Sequence, residues 1–436
     1  MSDVVARTEA FLQKWKITPD AVDMEKVCGR FLDEMSRGLA SHRGGSLRMI
    51  PTYATESESI APGKSVIVLD AGGTNFRTCL VTFDEHFIPH ISEFRKSGMP
   101  GVKEEVSAEK FFSLLADDVE RLIDKSDKIG FCFSYAADIL PNHDGVPVVF
   151  SKEIKAPEVI GKPVGASLLA ELSRRGHDVS KKTVSVVNDT VATLLAGKAA
   201  SGAASWDGFI GFILGTGTNT AYSELNSAIT KIDCGTVGRQ IINVESGSFD
   251  FWLGELDEKF FASTKIPSAY HFEKMISGAY LGPYSHMVVR QAIDDGLFSQ
   301  VFADRFAKIE PLTTTTMSHY LEMPLNLDYA LVRCVDGNED DATALWMILN
   351  SFIARAAKLT AVNLSAAVLK SGKGADPRRP VCINADGTTY YKTEYLKQYT
   401  EYYLYEFLQR RKKRYVRFVR IEDSPVLGAA IAGLLG

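Results

Sequence analysis

Asp70 ends the apolar run VIVLD and is followed at once by a glycine turn, AGGTNFR (residues 71–77). A second strand–turn–strand, FIGFILGTGTNTAY (209–222), repeats the pattern without the carboxylate, with Asn219 lying 219 − 75 = 144 residues after Asn75. Glycine turns of this kind point successive backbone N–H groups into one concavity, which binds anions. Thr74, Thr216 and Thr218 add hydroxyl donors, and Arg77 adds a phosphate-binding fork. A carboxylate at the end of a buried strand is a poor core residue. It is well suited to hold a hydrated Mg²⁺, which needs only one or two protein carboxylates. Ordinary β-hairpin turns use the same residue types, and either turn alone reads equally well as one. Their recurrence favours two phosphate grips on one nucleotide. Neither GxxxxGK[ST] nor a GxGxxG after a strand occurs, so those phosphate-binding loops are excluded.

A second set of residues has the chemistry of sugar recognition. VVNDT places Asn188 and Asp189 where a strand hands over to a helix, and Asn, Asp and Thr are also the usual N-cap residues. Ser134, Ser151, Lys152, Asn219, Glu245 and Glu273 lie in apolar surroundings. Each alone reads as a loop or cap group. Together they offer the amides and carboxylates that hydroxyls need, with one carboxylate to take a proton.

The elements that must position these groups alternate in type. Residues 1–45 are helical in spacing; strands, a helix and further strands follow from Val66; 251–310 and Asp341–Lys370 are mostly helical; and LGAAIAGLLG closes the chain. Strand pairs followed by helices, occurring twice, predict an α/β protein of two similar halves. At 436 residues, 45% apolar and 24% charged with a net charge of −5, the chain has ample core and no bias toward nucleic-acid or acidic-lipid partners. The six cysteines form no CxxC pair and read as buried thiols in a reducing compartment. The start has no signal-peptide core or hydrophobic docking peptide, and no run is expected to reach the ~18–20 residues of a membrane span. The expected location is cytoplasmic. The basic run RRKKR (410–414) reads as the solvated end of a helix or as a docking patch.

The ordered motifs resemble the hexokinase/glucokinase family from about residue 49 to the C-terminus. VIVLDAGGTNFRTCLVTF is similar to its first phosphate motif and GFCFSYAA to its FSFP sugar segment. VSVVNDTVATLLAG matches its NDT segment, and GFILGTGTNTAY its second phosphate motif. IINVESGSF and FEKMISGAYLG match two further sugar segments. The resemblance implies an actin-like (ribonuclease-H-like) duplicated fold with two lobes around a cleft, 66–188 plus 424–436 forming the small lobe and 1–65 plus 189–423 the large one. It implies Asp189 as general base on the 6-hydroxyl of a hexose, with Ser134, Ser151, Lys152, Asn188, Asp189, Asn219, Glu245 and Glu273 holding the ring. Asp70, Gly72, Gly73, Thr74, Asn75 and Arg77, with Gly215, Thr216, Gly217 and Thr218, would hold ATP phosphates, Asp70 also serving Mg²⁺. Thr388 and Ser424 would sit by the adenosine. Four departures stand out: Ala136 for the family's proline, Ser246 for its tryptophan, Tyr270 for its glutamine, and Ser424-Pro425-Val426-Leu427 for its GSG[KR] loop. The first three bear on sugar preference and the last on nucleotide preference. The expected activity is ATP-dependent hexose phosphorylation. A kinase for another polyol or amino sugar, and a catalytically idle sugar sensor on the same fold, are the alternatives.

Overall fold

The computed structural model describes residues 2–55, 60–150, 154–200 and 205–436; Ser151 and Lys152 lie outside them. The first glycine turn joins β2 (Ser65–Gly72) to β3 (Asn75–Phe83), and β4 (Pro89–Gly98) extends the antiparallel meander. β5 (Lys128–Phe133) and β8 (Thr183–Val187) then add in parallel on the other side of β2, giving the order β4-β3-β2-β5-β8. A small hairpin, β6 (Ala136–Ile139) with β7 (Gly145–Val149), stands beside this sheet.

The second half repeats the plan. β9 (Gly208–Leu214) and β10 (Thr218–Leu225) flank the second turn, β11 (Arg239–Asn243) continues the meander, and β12 (Val381–Asp386) and β13 (Val416–Val419) add in parallel beyond β9. The order is β11-β10-β9-β12-β13, with the short β1 (Ile50–Pro51) outside β11. Both sheets therefore wind in the same sequence of strands, and in both the hairpin turn lies beside the carboxyl end of a parallel strand.

A helix follows the fifth strand of each sheet: Asp189–Ala200 after β8 and Ser424–Leu435 after β13. The two pack against each other, and each crosses to the opposite sheet. The Asp189 helix lies on β9 and β12, and the Ser424 helix lies on β2, β5 and β8. Small residues on both helices let this crossing be close, and their buried Val191, Leu194, Ala429 and Ala430 share one apolar cluster with Val68 and Ile241. The crossing places Asp189 at the seam of the two halves.

One expectation needs correction. Glu339–Ser371 is a 33-residue helix long and apolar enough by composition to cross a membrane. In the structure 89% of its apolar window is buried inside the protein, and it carries the fully buried Arg355, ion-paired to Asp257 at 3.0 Å. Its apolarity serves the core of the second half, against which the helices Ser2–Lys14 and Met24–Ala40 pack.

Candidate functional site

The first turn is a two-residue hairpin: Gly72 pairs with Asn75, and Gly73 has φ +59° while Thr74 does not leave the ordinary region. That sign pattern belongs to a type II′ turn, which takes glycine at its first central position. Tyr135, buried just past β5, donates its hydroxyl to the Gly73 carbonyl at 2.7 Å and pins the turn. Asp70 is 1% exposed, and its Oδ2 accepts from Arg77 Nε at 2.6 Å. Arg77 in turn faces Asp423 at 3.7 Å, at the head of the Ser424 helix. Burial pushes the Asp70 carboxyl above its usual range, Arg77 holds it down, and the nearby Asp189 carboxylate pushes it up again. A Cβ on Gly72 would lie 3.5 Å from Asp70 Oδ1 and 4.0 Å from Ser134 Oγ, so carboxylate, turn and Ser134 share one corner.

Asn188 and Asp189 head the helix that crosses the seam. Asn188 Oδ1 accepts from the Thr190 amide at 2.9 Å, so the capping alternative holds for this side chain. The same oxygen also accepts from Asn219 Nδ2 at 3.4 Å, which ties the helix head to β10. Asp189 itself is only half-buried, with its main chain held by Thr193 at 2.8 Å and Oδ1 receiving the Thr190 hydroxyl at 3.3 Å. The residue is thus not sealed into the core. Asn219 Nδ2 reaches Asn243 Oδ1 at 2.6 Å and Glu245 Oε1 at 3.4 Å, and Asn243 Nδ2 donates to that same oxygen at 2.9 Å. Glu245 adopts a left-handed backbone, φ +58° and ψ +48°, which turns its side chain toward this amide cluster. Burial raises its carboxyl, with Asn243 and Arg48 opposing and Asp189 reinforcing.

Glu273 connects this cluster to the second turn. It lies in the short helix His271–Ile276, and its Oε2 accepts from the Thr218 amide at 3.0 Å. A Cβ on Gly217 would stand 2.6 Å from that oxygen, so glycine there answers to the carboxylate and not to backbone φ. Thr216 is exposed at the tip, where its hydroxyl is open to a ligand. The Gly215 carbonyl is held from behind by the Gly278 amide at 2.9 Å and the Thr389 hydroxyl at 2.8 Å, next to the exposed Thr388. Two expected nucleotide contacts are turned away. Thr218 spends its hydroxyl on the Ile213 carbonyl at 3.0 Å, and Ser424, 1% exposed, donates to Ile421 O at 2.7 Å and accepts from Asn384 at 3.0 Å. Both side chains are structural because their β10 and helix-start positions face the core.

The donor set fits a phosphorylated ligand with an oxygen-bound cation. A Cβ on Gly73 would meet no atom within 4 Å, so the first turn opens onto free space, with the Asp70 carboxylate beside Gly72 and close enough to Asp189 to feel its charge. Residues 209–435 match a family model described as hexokinase, and residues 7–199 match a second with the same description. The chain belongs to the hexokinase family. Hexokinase-2 of Homo sapiens is 28% identical over 454 residues, covering 98% of this chain and 48% of that protein, so the chain spans about half the length of such relatives. A hexokinase of Schistosoma mansoni is 30% identical over 324 residues, covering 71% of this chain and 70% of that one. In fold, a hexokinase from Schistosoma mansoni complexed with glucose superimposes with a TM-score of 0.78 at 24% identity, over 99% of this chain and all of that one. The architecture is accordingly the actin-like, two-lobed α/β fold of the hexokinases.

Sequence reasoning missed several members of this candidate site. Asn243 bridges Asn219 and Glu245; its signal was an amide at the end of the apolar strand QIIN. Tyr135 and Arg48 gave no such signal. Arg48 precedes β1, reaches Asp138 on β6 at 3.4 Å and sits near Glu245, so it links the two halves. At the departures, Ser246 is fully buried and its amide donates to Asn219 Oδ1 at 3.3 Å, while Tyr270 has a left-handed φ of +58° with Glu245 and Glu273 both near its hydroxyl.

Proposed function

We propose that this protein is an ATP- and Mg²⁺-dependent hexokinase that phosphorylates the 6-hydroxyl of a hexose such as glucose, in the cytoplasm, as the first step of sugar use in glycolysis. The reading is supported above all by the position of Asp189: half-buried at the seam, its charge is felt by Asp70 on one side and by Glu245 on the other, and its neighbour Asn188 is bonded to Asn219 of the Asn219–Asn243–Glu245 cluster. The glucose in the Schistosoma mansoni hexokinase structure supports a hexose as the sugar.

Asn188, Asn219, Glu245 and Glu273, with Ser134, Ser151 and Lys152, would hold the ring so that its 6-hydroxyl lies against Asp189. As the hydroxyl oxygen bonds to the γ-phosphorus and the bond to the β-phosphate oxygen breaks, the hydroxyl proton passes to the Asp189 carboxylate and ADP leaves. Phosphoryl transfer needs mainly alignment and charge stabilisation. The amides at Gly72–Asn75 and Gly215–Gly217, the Thr74 and Thr216 hydroxyls and Arg77 would serve the phosphates, and Thr388 would sit by the adenosine. Mg²⁺, held through Asp70, supplies charge neutralisation on the phosphates when bound.

A coupled assay of ADP release over a panel of hexoses, polyols and amino sugars, with ATP and Mg²⁺, tests the proposal. Turnover on glucose or a related hexose is expected. Turnover on polyols or amino sugars alone, or sugar binding with no turnover on any of them, overturns it.

A further inference from the structure

β13 is the last strand of its sheet, and among the described residues no strand pairs with it on the side away from β12. An open strand edge is a template for another chain. Here the edge does not face plain solvent. The helix Leu396–Leu404 and the π-helical turn Tyr405–Arg411 that continues it stand opposite, and a groove of about 620 Å³ runs between helix and strand. All residues from Val416 to Arg420 line it, so the groove follows the strand edge along its length. At ~3.3 Å per residue that is room for about five residues of extended chain.

The chemistry of the walls narrows the occupant. Leu404, Phe418 and Tyr391 make an apolar floor, and Arg417 and Arg420 stand exposed on the strand side, Arg420 lying 4.5 Å from the Tyr391 ring centre. The one acidic lining residue, Glu401, is already matched by Lys397 at 3.0 Å. The basic run follows Gln409, the last lining residue of the turn. Arg410 is paired to Glu406 at 3.0 Å and Lys412 to Glu25, which leaves the exposed Arg411 and Lys413 with no acidic partner among the described residues. Of the groove's own lining, Arg417 and Arg420 carry charge with no acidic partner among the described residues, in a protein of net charge −5. Those cations repel a second copy of the same edge and attract an acidic strand.

We propose that the groove between β13 and the Leu396 helix binds an extended acidic peptide segment of a partner protein, which adds to β13 as a further strand. Strand addition draws affinity from main-chain hydrogen bonds and specificity from alternate side chains. Alternate side chains of such a strand would enter the floor at Phe418 and Leu404, and the carboxylates between them would meet Arg417 on the other face, with Arg420 at the floor's end beside Tyr391 to meet a terminal carboxylate. The inference is independent of the sugar reaction.

The probe is a fluorescently labelled ten-residue peptide alternating valine or threonine with glutamate, titrated with the full chain by fluorescence anisotropy. Saturable binding is expected, together with at least tenfold weaker binding to Arg417→Glu/Arg420→Glu and no detectable binding of the same peptide N-methylated at alternate amides. The double variant is expected to keep unaltered hexose turnover and circular dichroism, which shows that its fold is intact. The proposal is overturned if the N-methylated peptide binds as tightly as its parent, because charge alone is then sufficient. It is overturned equally if a lysine-for-glutamate peptide or a ten-nucleotide single strand binds better, or if no peptide binds at millimolar protein.

Discussion

Glu273 Oε2 and the Thr218 amide are 3.0 Å apart, so a carboxylate expected to bind sugar also fixes the turn expected to bind phosphate. The geometry leaves no room for a side chain between them, since a Cβ on Gly217 would stand 2.6 Å from the same oxygen. Gly217→Ala must therefore displace Glu273. A hydrogen bond to a charged group contributes about 1.5–3 kcal/mol, so the sugar KM is expected to rise about 10–100-fold. Steady-state kinetics on Gly217→Ala and Glu273→Gln checks this. An unchanged sugar KM in Gly217→Ala would show that the two roles are uncoupled.

Asp189 is expected to act in the chemical step and not in ring binding. Asp189→Ala should lower kcat by about 10²–10⁴-fold while sugar affinity, read by isothermal titration, changes only modestly. Normal turnover in this variant would remove Asp189 from the role of base.

Arg77 neutralises a carboxylate that is almost wholly buried. Arg77→Met leaves Asp70 without that partner, and breaking a buried pair from one side costs about 3 kcal/mol. Asp70→Asn/Arg77→Met should recover most of that loss in urea unfolding while remaining inactive. Equal stability of the single and double variants would contradict the assignment.

Lys231 donates to the carbonyls of Arg48 and Met49, both at 2.7 Å, and burial lowers its ammonium to about 8 from 10.5. Between those two values the folded chain has lost this proton and the unfolded chain still holds it. The unfolded state then binds more protons, so stability rises with pH across the window and the penalty of the buried charge is fully present below it. Lys231→Met should flatten that rise relative to the native chain in denaturant titrations between pH 8 and 10.5. Parallel pH profiles would show that Lys231 is not the group responsible.

Residues expected to hold the ring come from both halves: Ser134 follows β5, whereas Asn219, Glu245 and Glu273 belong to the second half. Sugar binding should therefore draw the halves together and exclude water, which otherwise competes as nucleophile. Small-angle scattering with and without glucose is expected to show a smaller radius of gyration in its presence. No change in radius at saturating sugar would count against closure.

What the amino-acid order determined alone was local. Apolar runs broken by glycine turns specified both hairpins, NDT specified a capped helix head, and the repeated order of strands and helices specified two similar halves. These follow from backbone conformational preference and hydrophobic period, which act over a few residues. Only the tertiary structure decided which polar side chains share the cleft. Thr218 shares the second glycine turn with Thr216, and Ser424 was expected beside the adenosine with Thr388, yet the crossing of strand and helix turns both hydroxyls inward. Asn243, Arg48 and Tyr135 joined the site through partners that the chain order does not mark. Such contacts depend on where two sheets and two crossing helices come to rest against each other, and packing over long sequence separations sets that position.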